Sequence, residues 1–257
     1  MAMGSAMKRA LQVGMAWLAL GAAPALTADL AARPYTKAPA MIATIYDWSG
    51  FYIGGNAGGG STHKCWTNTG AFGAPTVPNA AEGCHDTTGG LVGGQIGYRW
   101  QTGTWVFGVE AQGDWADFKG SNASKFIPGI TNQSKVNALG LFTGQVGYSW
   151  TNVLWYVKGG GAVANDKYNG ITAAGSVFDQ GSETRWGGVV GTGIEVGFAP
   201  NWSVAAEYDH LFMGSRALTF SVIPSGAASR TDSVGQGVDM ATVRVNYRWG
   251  GPVVGKY

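Results

Sequence analysis

Three sets of side chains in this chain have the types and spacing that chemistry uses. Cys65 and Cys84 are the two cysteines, and His63 and His85 flank them. Paired thiols beside imidazoles make either a disulfide or a soft-metal site. No close Cys-x-x-Cys pair is present, so the spacing fits no zinc pattern, and a disulfide closing this polar segment is the expectation. Asp209, His210 and, downstream, Ser215 are the residue types that hydrolases and acyltransferases combine. Adjacent residues of a strand point to opposite faces, however, so Asp209 and His210 are not expected to work together. The third set is dispersed in sequence and gathered only by phase: Arg99, Glu110, Lys158, Arg185, Glu195, Glu207, Arg244 and Arg248. The chain holds no P-loop, no Gly-x-Gly-x-x-Gly, no Gly-x-Ser-x-Gly and no His-Glu-x-x-His. No catalytic residue, metal or cofactor is therefore assigned, and the expectation is a protein that is not an enzyme.

The element that must position the last of these charges is the closing stretch from Asp239 to Trp249. Ala241, Val243, Val245, Tyr247 and Trp249 share one face. Thr242, Arg244, Asn246 and Arg248 share the other, as period-2 alternation in a strand requires. A face this apolar, ending in paired aromatics, reads as the lipid side of a transmembrane strand, with the arginines turned into a lumen. The same alternation runs through Trp105, Phe107, Val109, Ala111 and Trp115 against Gly108, Glu110, Gln112 and Asp114. It recurs in Trp186, Val190, Ile194, Val196 and Phe198 against Arg185, Gly191 and Glu195, and in Trp202, Val204, Ala206 and Tyr208 against Ser203, Glu207 and Asp209. One strand is less regular, since Leu139 and Leu141 fall on the side of Thr143 and Gln145.

Composition agrees. Charged residues are 12% of the chain, aromatics another 12%, and 43 of 257 residues are glycine. That charge share is about half the usual one for soluble domains. At the N-terminus Lys8-Arg9 precedes an uncharged, mostly apolar run from Leu11 to Leu26. Small residues at Ala23-Pro-Ala25 and Leu26-Thr-Ala28 then offer cleavage sites. Residues 1–28 read as a secretory signal peptide cleaved after Ala28. Its removal takes two of the 17 basic residues and none of the 15 acidic ones, so the mature chain is formally neutral. Nucleic acid is not an expected partner. Residues 29–47 are assigned to a periplasmic extension and 48–257 to the barrel.

Internal repetition fixes the strand plan. Gly94-Gln-Ile-Gly-Tyr-Arg-Trp100 returns as Gly144-Gln-Val-Gly-Tyr-Ser-Trp150 and, degenerately, as Gly193-Ile-Glu-Val-Gly-Phe198. Tyr98, Tyr148 and Phe198 stand 50 residues apart. Each copy is followed by a short turn and a new alternating run, the signature of a hairpin. Eight strands follow, near 50–58, 89–100, 104–114, 136–150, 153–163, 185–198, 202–211 and 238–249. The fold class is all-β: an eight-stranded antiparallel transmembrane β-barrel with short periplasmic turns and long extracellular loops near 59–88, 115–135, 164–184 and 212–237. Tyr98, Trp100, Tyr148, Trp150, Phe198, Tyr247 and Trp249 all fall at the short-turn end, where they are expected to form an aromatic girdle.

The segment Asp47-Trp-Ser-Gly-Phe-Tyr-Ile-Gly-Gly-Asn-Ala-Gly58, the ending Val245-Asn-Tyr-Arg-Trp249 with its tail to Tyr257, and the mature start Ala28-Asp-Leu-Ala-Ala-Arg33 resemble an alphaproteobacterial family of small outer-membrane barrels. These are the immunogenic porin-like proteins of the rhizobial RopB type. The resemblance implies an eight-stranded barrel resident in the outer membrane, with a role in envelope integrity or surface contact. Its partners would be outer-membrane lipid and lipopolysaccharide, the barrel-assembly machinery during insertion, and surface or host ligands met by the outer loops of a monomer. The cysteine-bearing segment is not part of that pattern. Two alternatives stand beside the structural reading. One is a small-solute pore: the interior set holds five basic and three acidic residues, which as an open path would mildly favour anions and as a packed plug would stiffen the tube. The other is surface capture of haem or another ligand, for which relatives of the family give the precedent and His63, His85 and His210 would be the ligands.

Overall fold

The computed structural model describes residues 46–249. The expected signal peptide, most of the expected extension and residues 250–257 lie outside the described residues.

Eight strands run β1 Gly50–Ala71, β2 Ala74–Thr102, β3 Trp105–Ala123, β4 Ile130–Trp150, β5 Val153–Thr172, β6 Val177–Ala199, β7 Trp202–Val222 and β8 Ala228–Arg248. Each pairs antiparallel with its sequence neighbour, and β8 closes on β1 to complete a barrel. Closure pairs the edges that an open sheet would leave bare. On β3 the outward apolar face runs from Trp105 to Trp115. At about 3.3 Å per residue and a tilt near 40°, that makes a band about 25 Å tall.

The four long connections are on one side, but they are not irregular. Residues expected as loops continue the strands well beyond the apolar band and turn only at 72–73, 124–129, 173–176 and 223–227. The first of these turns places both Phe72 (φ 49°) and Gly73 (φ 80°) in the left-handed region, the geometry of a tight two-residue hairpin. Their polar, Gly-rich composition had masked the alternation. Here the outer face meets water, so both faces carry polar residues and the period-2 contrast fades. We call this projecting part the crown.

The ladder of rungs is continuous around the apolar band and lapses twice in the crown. Between β6 and β7 the pairing jumps from Gly188↔Phe212 to Gln180↔Ser221. Between β2 and β3 the last rung is Thr88↔Lys119, although the Lys125 N–H donates to Glu82 O at 3.2 Å beyond it.

The repeat has a packing cause. Its second glycine faces inward in every copy and makes room for a large neighbour. A Cβ on Gly97 would sit 2.5 Å from the ring of Tyr52, and one on Gly147 would sit 2.8 Å from Leu154 Cδ1. One on Gly197 would strike the ring of Tyr46.

Candidate functional site

Strand phase carries Arg99, Glu110, Lys158, Glu195, Glu207 and Arg244 into the lumen within the apolar band, where all are buried. Arg244 is their hub. Its guanidinium bonds Glu110 Oε2 at 2.5 Å and, on the other side, Glu207. Lys158 Nζ reaches Glu207 Oε1 at 2.6 Å and Asp209 Oδ1 at 3.2 Å. Arg99 pairs with Glu195 at 2.8 Å and lies over the Tyr52 ring at 4.5 Å. The tyrosine hydroxyls complete the set: Tyr52 donates to Glu110 at 2.7 Å and Tyr156 to Glu207 at 2.6 Å. Charges this deep are tolerable only when paired and hydrogen-bonded, and here each ion has partners on other strands.

The sequence had grouped Arg185 and Arg248 with this network, and the structure separates both. Arg248 lies at the short-turn mouth, donating to Ser49 O at 2.9 Å and Pro200 O at 3.3 Å. Arg185 belongs to the crown, where it pairs with Glu183 and donates to Gly214 O and Val234 O. With Asp209 and Asp114 buried below instead, the basic excess inferred for the lumen does not hold at this level.

An apolar belt separates the two levels. Leu91, Phe118, Leu139, Leu141, Val189, Leu211, Met213, Val238 and Met240 are buried in one cluster inside the barrel. Leu139 and Leu141 are the residues that made β4 look irregular; they face inward because the lumen has an oily storey. Trp48, buried with Val106, Leu154 and Tyr156, closes the bottom. Trp48 opens the segment assigned to the barrel, ahead of its first expected strand, and Tyr46, assigned to the extension, packs there as well, its hydroxyl donating to Trp202 O at 3.3 Å.

Above the belt the crown interior alternates ions with rings. Lys64 Nζ pairs with Asp166 at 2.7 Å, both fully buried. Trp66, Tyr168, Phe220 and Val234 pack over them. Higher still, Arg230 holds Glu82 at 2.7 Å, Asp179 at 3.1 Å and Asp232 at 3.4 Å. Burial pushes the Asp232 carboxyl up to about 7 against the pull of Arg230, and Glu82 and Asp179 add to the rise. Burial also lowers Lys64, with Asp166 opposing it. The sequence missed Lys64, Asp166, Glu82, Asp179, Arg230 and Asp232 because all lie in segments read as loops.

Cys65 and Cys84 are cross-strand partners on β1 and β2 and form a disulfide with S–S 2.06 Å. The histidines do not converge. His63 faces outward beside the disulfide. His85 faces inward, hydrogen-bonded to Asn122 and Ser134. His210 faces outward on β7 against Asp239 at 2.6 Å, while Asp209 faces the lumen. They do not make one ligand set. Of the girdle residues, Tyr98, Trp100, Tyr148, Trp150, Phe198 and Trp249 are exposed large hydrophobics. Tyr247 packs between Trp202 at 5.0 Å and Trp249 at 5.4 Å.

Residues 13–248 match the outer membrane protein beta-barrel domain. Over 214 residues the chain is 28% identical to the 31 kDa outer-membrane immunogenic protein of Brucella melitensis, covering 78% of this chain and 85% of that protein. The protein of the same name from Brucella suis matches to the same extent. Among solved structures, the outer membrane protease OmpT of Escherichia coli aligns over 78% of this chain and 97% of its own, with 7% identity and a TM-score of 0.47.

Proposed function

The chain belongs to the outer membrane protein beta-barrel domain family and sits in the bacterial outer membrane, and from that premise we propose that it is a structural barrel with a solid interior, stiffening the envelope and presenting the crown for surface contacts. The observation that carries this reading is the apolar belt stacked between two buried ion clusters. A hydrated ion would have to pass a storey with nothing to replace its shell, a costly step for any charge. A closed ring also has no bare edge for a second copy to extend, which favours a monomer. Contact with lipopolysaccharide, assembly factors or surface ligands would fall to the outer wall and hairpin tips. Phe72, at 77% exposure, and Val77, at 86%, mark one tip as an apolar contact point.

Planar-bilayer conductance of the refolded chain tests the proposal. A silent bilayer is the expected result, with folding checked by heat-modifiable mobility in detergent gels. Reproducible current steps that change in Arg244→Ala would overturn the solid interior and restore the pore.

A further inference from the structure

The crown disulfide lies on the outer wall with an imidazole aligned on one of its two sulfurs. We infer that Cys65–Cys84 is a thiol-exchange site with a fixed direction, at which a small soluble thiolate attacks Cys84 Sγ and Cys65 leaves. This goes beyond the structural reading and would stand even if the barrel conducted.

Four side chains share the outer face of the β1–β2 hairpin: His63 is paired across the ladder with Asp86, and Cys65 with Cys84. His63 Nε2 lies 3.3 Å from Cys65 Sγ. Its Nδ1 lies 2.6 Å from Asp86 Oδ1. The carboxylate thus fixes the ring with Nε2 aimed at one sulfur, so that a proton carried on Nε2 is delivered to Cys65. Among the described residues Cys84 has no matching donor within hydrogen-bond distance, because its neighbour His85 is turned inward to Asn122 and Ser134. Exchange is faster when the leaving thiol is more acidic, and a neighbouring cation makes it so. Cys65 is therefore the better leaving group and Cys84 the better target. Access is open, since the side chains of His63 and Asp86 are 66% and 67% exposed. Neither the apolar band nor the interior network uses these residues.

The step balances without an external oxidant. The incoming thiolate forms a new S–S bond to Cys84, and the Cys65–Cys84 bond breaks. Its electron pair departs on Cys65 Sγ, which takes the Nε2 proton of His63. In the reverse direction neutral His63 removes the Cys65 proton, and the thiolate attacks Cys84 to expel the captured thiol. The site would hold a small thiol covalently and reversibly.

The test treats the folded chain in detergent with glutathione, traps free thiols with iodoacetamide and maps the products by peptide mass spectrometry. Glutathione on Cys84 with alkylated Cys65 is the expected product. His63→Ala should slow capture about tenfold, less than general acids usually contribute because this row is open to water, and should spread the adduct over both cysteines. Asp86→Asn should do the same to a smaller extent. Equal labelling of both cysteines in the native chain, no adduct at all, or an unchanged rate and site in His63→Ala would each overturn the inference. If His63→Ala failed to fold, the labelling site in the native chain and the Asp86→Asn rate would still decide it.

Discussion

The barrel's lower half and its crown solve one closure problem in two ways. In the lower half the outer wall is apolar, the lumen is charged and the ladder is unbroken. In the crown the outer wall is polar, the lumen stacks ions with aromatic rings, and the ladder lapses at two seams. The surrounding medium explains the difference. Lipid offers no partner to a free N–H or C=O, so a wall facing it must keep its rungs. Water can serve those groups, so the wall it bathes tolerates gaps. Continuity of the ladder is thus a record of what lies outside each level, and side-chain clusters do in the crown what rungs do below.

The largest expected effect is Arg244→Ala. Losing the hub leaves Glu110 and Glu207 buried without their cation, a change that costs about 3–5 kcal/mol and should lower the urea midpoint of the whole barrel. Arg230→Ala removes a comparable hub in the crown but should spare that midpoint while exposing the hairpins to protease. If Arg230→Ala unfolds the barrel as readily, the two levels are one cooperative unit and the comparison fails.

Next in size is the Cys65→Ser/Cys84→Ser pair. A bridge closing a loop this short contributes about 3 kcal/mol in the chain-entropy description. The loss should appear as faster amide exchange near residues 65–84, with no change in the segments of the apolar band.

The smallest effect is set by pH. Asp232 titrates near 7 in the folded crown, above its ordinary value of about 3.9 when unfolded. The folded state therefore holds the proton more tightly, and crown stability should fall as pH rises from about 4 to 7 and then level off. Asp232→Asn should flatten that dependence in proteolysis of the hairpin tips measured at pH 5 and pH 8. An unaltered profile would mean that Asp232 does not set it, and Lys64 could not take its place, since a lysine whose pKa is lowered on folding makes stability rise with pH.

How much of this was legible tracks the contrast between the two faces. Around the apolar band, lipid outside and charge inside make period 2 visible, and strand positions, girdle and lumen charges such as Glu207 and Arg244 could be read from phase. Leu139 and Leu141 looked like noise because a lumen was expected to be polar throughout, yet they marked the belt. Arg185 has the right phase but the wrong height, and phase carries no height without knowing how far a strand extends. The crown was opaque for a related reason. Gly58, Gly59, Gly60 and the polar run after them lack any apolar–polar contrast, so paired strands there resembled loops. Trp48 and Tyr46 were hidden because a plug from outside the first strand has no periodicity at all.

The two seams have a mechanical consequence. β2/β3 and β6/β7 stand on opposite sides of the ring, so above the membrane the gaps set off two half-shells of four strands, β3–β6 and β7–β2. These are rejoined near the tips by the Gln180↔Ser221 and Asp179↔Val222 rungs and the Lys125–Glu82 backbone bond. What joins them there is mainly side chains. Lys64 on β1 reaches Asp166 on β5, and Arg230 on β8 reaches Asp179 on β6. Arg185 on β6 grips carbonyls of β7 and β8. The crown is in effect a bivalve whose hinge is the lipid-bound ring below and whose clasps include ion pairs, so the charges that rigidify it are also fasteners that would have to be undone to spread it.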